Sequence, residues 1–325
     1  MIGKRIRRNK DLEEGKEIHM QLFDAHCDML YKLWRQPNIN LETDKSLQVS
    51  ISKLSKKKKP IQCFAIFVPE DVPFIHRYHV ALEQVSLFQQ KVLNKYPEVK
   101  LLKTKSDIDR LHDDDIGAIL TLEGCDAIGD DINQLDVFYQ LGVRSVGLTW
   151  NYANLVADGA HETRNGGLTN FGRDVINYLN NQKMWTDLSH ASEKSFWEAL
   201  EIASYPIASH SNVYRLCPHV RNLRDEQIQA LFKKNGIIGI TFVPFFTSNV
   251  KPSIADLLDH IDYLCSLGGE NNIGFGSDFD GIDETINGLA TYDDYDTLIN
   301  QLLIHYPEQL VQKFLYHNFY QSIPY

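Results

Sequence analysis

The chain has 325 residues, and 43% of them are hydrophobic, enough for a large buried core. Lys and Arg number 33 against 43 Asp and Glu, a formal net charge of −10, which disfavours nucleic acid and anionic membrane surfaces as partners. No apolar run reaches the roughly 18 residues of a transmembrane helix, and no hydrophobic C-terminal tail suggests a lipid anchor.

Residues 1–20 are polar and carry Lys4, Arg5, Arg7, Arg8 and Lys10, without the apolar stretch of a secretory signal. We expect a poorly ordered N-terminal extension there, followed by a single catalytic domain over residues 21–325. The first strand contains apolar Leu22, Phe23 and Ala25 and ends in His26-Cys27-Asp28. His26 and Asp28 are two apart, so an extended strand points them the same way. An imidazole beside a carboxylate is a donor pair suited to a zinc-type cation. Lys56 to Lys59 read as a solvated loop before the second strand.

Seven more strand-length apolar runs follow: 62–68, 117–125, 145–150, 184–190, 206–211, 237–243 and 272–279. Segments with helical periodicity lie between them, over 80–96, 171–181, 193–204, 225–234 and 254–267. This alternation predicts an α/β fold, a (β/α)8 TIM-type barrel. A doubly wound open sheet is the rival, but no Gly-x-Gly-x-x-Gly follows any strand.

In such a barrel the C-terminal strand ends meet at one mouth. The first strand brings His26 and Asp28 there, the third Glu123, the fifth His190, the sixth His210, and the eighth Asp278 and Asp280. Three histidines interleaved with acids on separate strand ends predict a metal site. Five candidate ligands, His26, Asp28, Glu123, His190 and His210, exceed the three of a single catalytic zinc, so two ions are expected. Glu123 lies between the first-strand pair and the fifth- and sixth-strand pair, as a bridge would. Two neighbouring cations can hold a shared hydroxide for hydrolysis. Asp278 is then free to act as general acid/base. Asp280 competes for that role, although Gly281 next to it suggests a loop-ordering aspartate.

These residues stand within longer motifs: Asp24-Ala25-His26-Cys27-Asp28, Leu122-Glu123-Gly124, Asp187-Leu188-Ser189-His190, Ser209-His210-Ser211, Arg221-Asn222 and Gly276-Ser277-Asp278-Phe279-Asp280-Gly281. Together and in this order they resemble the membrane (renal) dipeptidase family of dinuclear zinc peptidases, within the amidohydrolase-like barrels. The resemblance implies a metallo-dipeptidase with two divalent ions, most simply Zn2+. It implies His26 and Asp28 on one ion, His190 and His210 on the other, and Glu123 across both. It implies Asp278 next to the bridging water, Arg221 on the free carboxylate of a dipeptide, and a homodimer. A planar guanidinium fork suits that carboxylate on chemical grounds as well.

The chain departs from the family's pattern at substrate contacts. Trp150 stands where related mammalian enzymes have a histidine, and Phe246 where a tyrosine helps to bind the carboxylate. Trp150, Phe246 and Asn154 are expected to line the substrate pocket; Asn151, Tyr152 and Asp158 are either pocket or turn residues. Cys27, Cys63, Cys125, Cys217 and Cys265 are odd in number and lack paired spacing, which suggests reduced thiols and a cytoplasmic protein. Cys27 alternates away from the His26/Asp28 face. Two alternatives stand beside the dipeptidase: another amidohydrolase reaction on a cyclic amide or an amine to be removed, and a non-catalytic metal-binding barrel. The first usually opens with His-x-His rather than His-x-Asp, and the second predicts missing ligands.

Overall fold

A computed structural model of the protein describes residues 20–325. The expected N-terminal extension lies outside the described residues, apart from Met20. Nine strands form one parallel sheet: β1 (Phe23–Cys27), β2 (Ile61–Phe67), β3 (Val99–Leu101), β4 (Ile116–Glu123), β5 (Val143–Gly147), β6 (Trp185–Asp187), β7 (Pro206–Ala208), β8 (Ile237–Ile240) and β9 (Ile273–Phe275). Eight of them close in the order β1-β2-β4-β5-β6-β7-β8-β9, and Asp24 beside Phe275 joins the ends. This is the expected (β/α)8 barrel, and helices separate most successive strands.

β3 lies outside the ring and was not anticipated. It pairs with Ile116 to Ala118, the first part of β4, whose later residues Leu120 to Leu122 pair with β5. Its Val-Lys-Leu sequence, with Lys100 exposed, is too short to carry a period. The barrel strands read as apolar because parallel strands are covered on both faces; every residue of β2 is buried, Gln62 included.

The helix expected over 80–96 begins earlier, at Phe74, and continues from Leu87 into a wider π turn at Phe88–Leu93. Phe74 and Ile75 are exposed, so no apolar stripe marks its first turn. The helices Asn170–Asn181 and Glu193–Ile202 are fixed at their starts by Thr169 and Ser192, whose hydroxyls accept from the Gly172 and Ser195 N–H groups at 3.0 and 3.2 Å.

Two apolar cores result. One fills the space between sheet and helices. The other lies inside the barrel at the N-terminal strand ends, built from Phe23, Ile61, Trp185, Ile207 and Ile237. Phe319, on the last helix (Asn318–Ser322), stacks on Phe23 with ring centroids 5.2 Å apart, and the Trp185 indole N–H donates to the Ser322 carbonyl at 3.0 Å. One end of the barrel is thereby sealed with hydrocarbon, which leaves the opposite end for polar chemistry.

Candidate metal centre

That opposite end collects the predicted ligands. His26 belongs to β1 and Asp28 follows it at the start of helix Met29–Arg35. Glu123 ends β4, and His190, His210 and Asp278 follow β6, β7 and β9 within three residues. Glu123 reaches two ways. Its Oε1 lies 3.1 Å from His190 Nε2 and 3.8 Å from His210 Nε2, while its Oε2 lies 3.6 Å from His26 Nε2. Asp28 Oδ2 and Asp278 Oδ1 approach the same His26 nitrogen at 3.5 and 3.7 Å. Three donor clusters emerge: His26–Asp28–Glu123 and Glu123–His190–His210, which share Glu123, and His26–His210–Asp278, which adds the Asp278 carboxylate at the same centre.

The donor set fits cations. His26 Nε2 and Asp28 Oδ1 are buried without a hydrogen-bond partner, a costly state that a metal would relieve. Burial holds His190 and His210 well below the ordinary imidazole range, with Arg221 adding to the effect, so both are neutral donors. Burial would lower His26 too, but the Glu123 and Asp28 carboxylates outweigh it and raise it well above. Burial and Glu123 push Asp28 up to about 6. Three carboxylates packed around one imidazole make a pocket short of positive charge.

The imidazoles are also oriented from behind. His190 Nδ1 lies 2.9 Å from Asn151 Oδ1, and His210 Nδ1 lies 2.8 Å from Ser209 Oγ, whose hydroxyl donates in turn to Asp187 Oδ2. Asp187 is held by the Ser189 and Ser209 N–H groups at 2.9 and 3.0 Å. With the Nδ1 atoms engaged, both Nε2 atoms face the centre, as ligating histidines require. His190 and Asp278 are left-handed, with φ of 67° and 65°, a strain that clusters at functional sites. Gly281 shows the tightness: a Cβ there would lie 2.2 Å from Asp28 Oδ2.

Asp278 stands at this centre, half-buried, with its carboxyl pushed up to about 8. Burial is the main cause; His26 and Arg221 pull it down, Asp28 and Glu123 push it up. Asp280 has a different task. Its Oδ1 accepts from Lys32 Nζ at 3.1 Å and the Gln48 N–H at 2.7 Å, and its Oδ2 from the Val49 N–H at 3.0 Å. It ties the loop after β9 to the segment after the first helix.

A cavity of about 500 Å³ opens above the ligands. Arg221, Trp150 and Phe246 line it, as do Tyr31, Phe67, His161 and His219, which the sequence reading missed. Arg221 is 3% exposed; one of its nitrogens donates to the His210 carbonyl at 3.4 Å, and its Nε has no partner. Burial lowers it only to about 10, so it stays a cation with donors to spare. Its guanidinium sits 5.3 Å over the Phe246 ring, which packs on His219 at 4.5 Å.

Asn154 is not brought to this cavity. Its amide donates to the Leu148 carbonyl at 2.9 Å and to Asp126 at 3.2 Å, and it faces a separate hollow with Arg77 and Arg164. Asp158 pairs with Arg164 and orders the same loop.

Residues 13–324 match the family described as membrane dipeptidase, peptidase family M19. The chain belongs to that family. As an M19 peptidase it is a metal-dependent dipeptidase, a hydrolase acting on dipeptides. It is 34% identical over 250 residues to an uncharacterized protein in the pqqA 5′ region of Klebsiella pneumoniae, covering 73% of this chain and 92% of that one. It is 32% identical over 274 residues to the dipeptidase aclJ of Aspergillus oryzae, covering 79% and 64% respectively. Among solved structures, the fold matches an M19 metallopeptidase, dipeptidase AC (TM-score 0.87, 27% identity, 94% and 98% covered). It also matches a Rhodobacter sphaeroides metallopeptidase liganded with a phosphinate mimic of L-Ala-D-Ala (TM-score 0.86, 26% identity, 94% and 99% covered). Among the described residues no helix of this M19 peptidase is long and apolar enough to cross a membrane.

Proposed function

We propose that the M19 peptidase hydrolyses dipeptides at a pair of divalent ions, most simply Zn2+, with one ion on His26 and Asp28, the other on His190 and His210, and Glu123 shared. The observation that carries this reading is Glu123, whose two oxygens face the two separate histidine groups. Mixed imidazole and carboxylate ligation suits zinc without excluding manganese, cobalt or iron. When bound, such ions polarise the scissile carbonyl and lower the pKa of water.

The protein's own groups do the rest. Arg221 binds the C-terminal carboxylate of the dipeptide through its planar fork and fixes where the reacting carbon lies. Asp278, whose Oδ1 lies 3.7 Å from His26 Nε2 at the centre, takes a proton from the attacking water and returns it to the leaving amine. Phe246 holds its ring 5.3 Å from the guanidinium carbon, where a cation–π contact helps to keep Arg221 in place. Trp150, in place of the family histidine, offers an indole N–H donor and an apolar face, but no acceptor. All five cysteines are free, in keeping with a cytoplasmic protein; the homodimer that the resemblance implies is checked by light scattering.

The test is a dipeptide panel on the metal-loaded and the chelated protein, with metal content measured alongside. Dipeptide hydrolysis that chelation abolishes and metal restores is expected. Undiminished turnover after chelation, or turnover of cyclic amides in preference to dipeptides, would contradict the reading.

A further inference from the structure

The closed strand order sets β2 opposite β7, with three strands between them on either side. The segment after β7 carries Arg221. β2 ends in Phe67, whose Cα is in register with that of Glu123, so the two side chains point to the same side of the sheet. Phe67 is the middle of an aromatic row. The Tyr31 ring lies 5.3 Å from it, the Trp150 ring 5.1 Å, and Trp150 in turn lies 6.0 Å from the ligand His190. All three rings line the same cavity as Asp28, Glu123 and Arg221. The exposed carboxylates Asp283 and Glu284 stand at its rim.

We propose that Tyr31, Phe67 and Trp150 form the subsite for the side chain of the dipeptide's N-terminal residue, and that this subsite selects a large apolar or aromatic side chain. The inference rests on the reading that Arg221 holds the C-terminal carboxylate. With that end fixed near β7 and the scissile carbonyl at the Glu123-bridged ligands, the N-terminal residue extends across the centre toward β2. There it meets ring faces, which gain from burying hydrocarbon and from stacking. An acidic side chain at this place would lie near Asp28, Asp278, Asp283 and Glu284, and the Arg35 guanidinium on the Tyr31 hydroxyl at 3.1 Å is already paired with Asp71. Glycine would leave the row uncovered.

The experiment compares kcat/KM of the metal-loaded enzyme for Phe-Ala, Leu-Ala, Gly-Ala and Asp-Ala. The first two should exceed the last two by about tenfold or more, the scale on which an apolar pocket discriminates. Tyr31→Ala, on a half-exposed helix position, and the volume-sparing Phe67→Leu should each reduce the Phe-Ala to Gly-Ala ratio several-fold. Calorimetric titration with the reduced-amide analogues of Phe-Ala and Gly-Ala should give the same trend in Kd without turnover. Equal kcat/KM across the four dipeptides, or ratios that neither variant moves, would overturn the subsite. Cleavage of Phe-Ala amide as fast as of Phe-Ala would overturn the Arg221 clamp, and with it the assignment of sides.

Discussion

His190 Nε2 and His210 Nε2 lie 2.9 Å apart, in a pocket where burial holds both rings neutral. The contact is not a tautomeric accident, because both Nδ1 atoms are engaged from behind, by Asn151 and by Ser209. Ser209 gives its proton to Asp187, so it accepts the Nδ1–H of His210 and leaves Nε2 as a bare lone pair. Two unprotonated nitrogens this close suit a shared cation, in line with the proposed metal site.

Ser209→Ala removes the acceptor that fixes the His210 tautomer. Metal affinity at the His190/His210 site should fall about 10- to 100-fold, read by competition with a chromophoric chelator. An unchanged chelator midpoint would mean that the hydroxyl does not orient the ligand.

Asp278→Asn should retain the metals and lower kcat by roughly a hundredfold to ten-thousandfold, the usual worth of general acid/base catalysis. Asp280→Asn should act differently, by weakening the contacts to Lys32, Gln48 and Val49 that hold the loop. Its effect should appear as a lower Tm more than as a lost chemical step. A large kcat loss confined to Asp280→Asn would exchange the two roles.

Arg221→Lys replaces a bidentate fork by a point charge. The kcat/KM for dipeptides should drop by one to three orders of magnitude, on the scale of about 2–4 kcal/mol for a charged group left unpaired. In the wild type, a dipeptide's C-terminal amide should be the poorer substrate by a similar factor. Equal turnover of acid and amide would remove the clamp.

A pH effect on stability follows from His260. It is fully buried; its Nδ1 accepts the Val213 N–H at 3.1 Å and its Nε2 donates to the Thr247 carbonyl at 2.9 Å. Burial lowers its pKa below 6.5, although the Thr247 carbonyl, Asp259 and Asp256 pull the other way. The unfolded chain therefore takes up the proton first. This contribution is complete above about pH 6.5 and is lost as the pH falls below it. Comparing Tm at pH 8 and 5.5 for metal-loaded wild type and His260→Gln checks it: the wild type should show the steeper decline. Parallel declines would exclude His260 as a source.

The convergence of the candidate metal ligands was legible in the sequence because each is a polar residue that ends an apolar run, and the barrel brings such ends together. The same criterion passed over Phe67, since β2 ends in apolar residues and offers no contrast at its mouth. His161 and His219 lie on loops, where no period indicates direction, and Tyr31 reads as one more ring on a short helix. Asn154 was expected at the substrate and instead serves the Leu148 carbonyl and Asp126; a polar loop residue does not reveal in sequence which backbone groups it must satisfy. Trp150 and Phe246, by contrast, do line the cavity.

The central claim, a pair of ions bridged by Glu123, is tested most directly by counting metal per chain in the wild type and in Glu123→Gln during titration with a chelator. The wild type should hold two ions. Glu123→Gln keeps the shape but removes the shared charge, so both ions should be lost at lower chelator concentration, together. One ion per wild-type chain, or a Glu123→Gln protein whose titration overlays the wild type, would contradict the bridge.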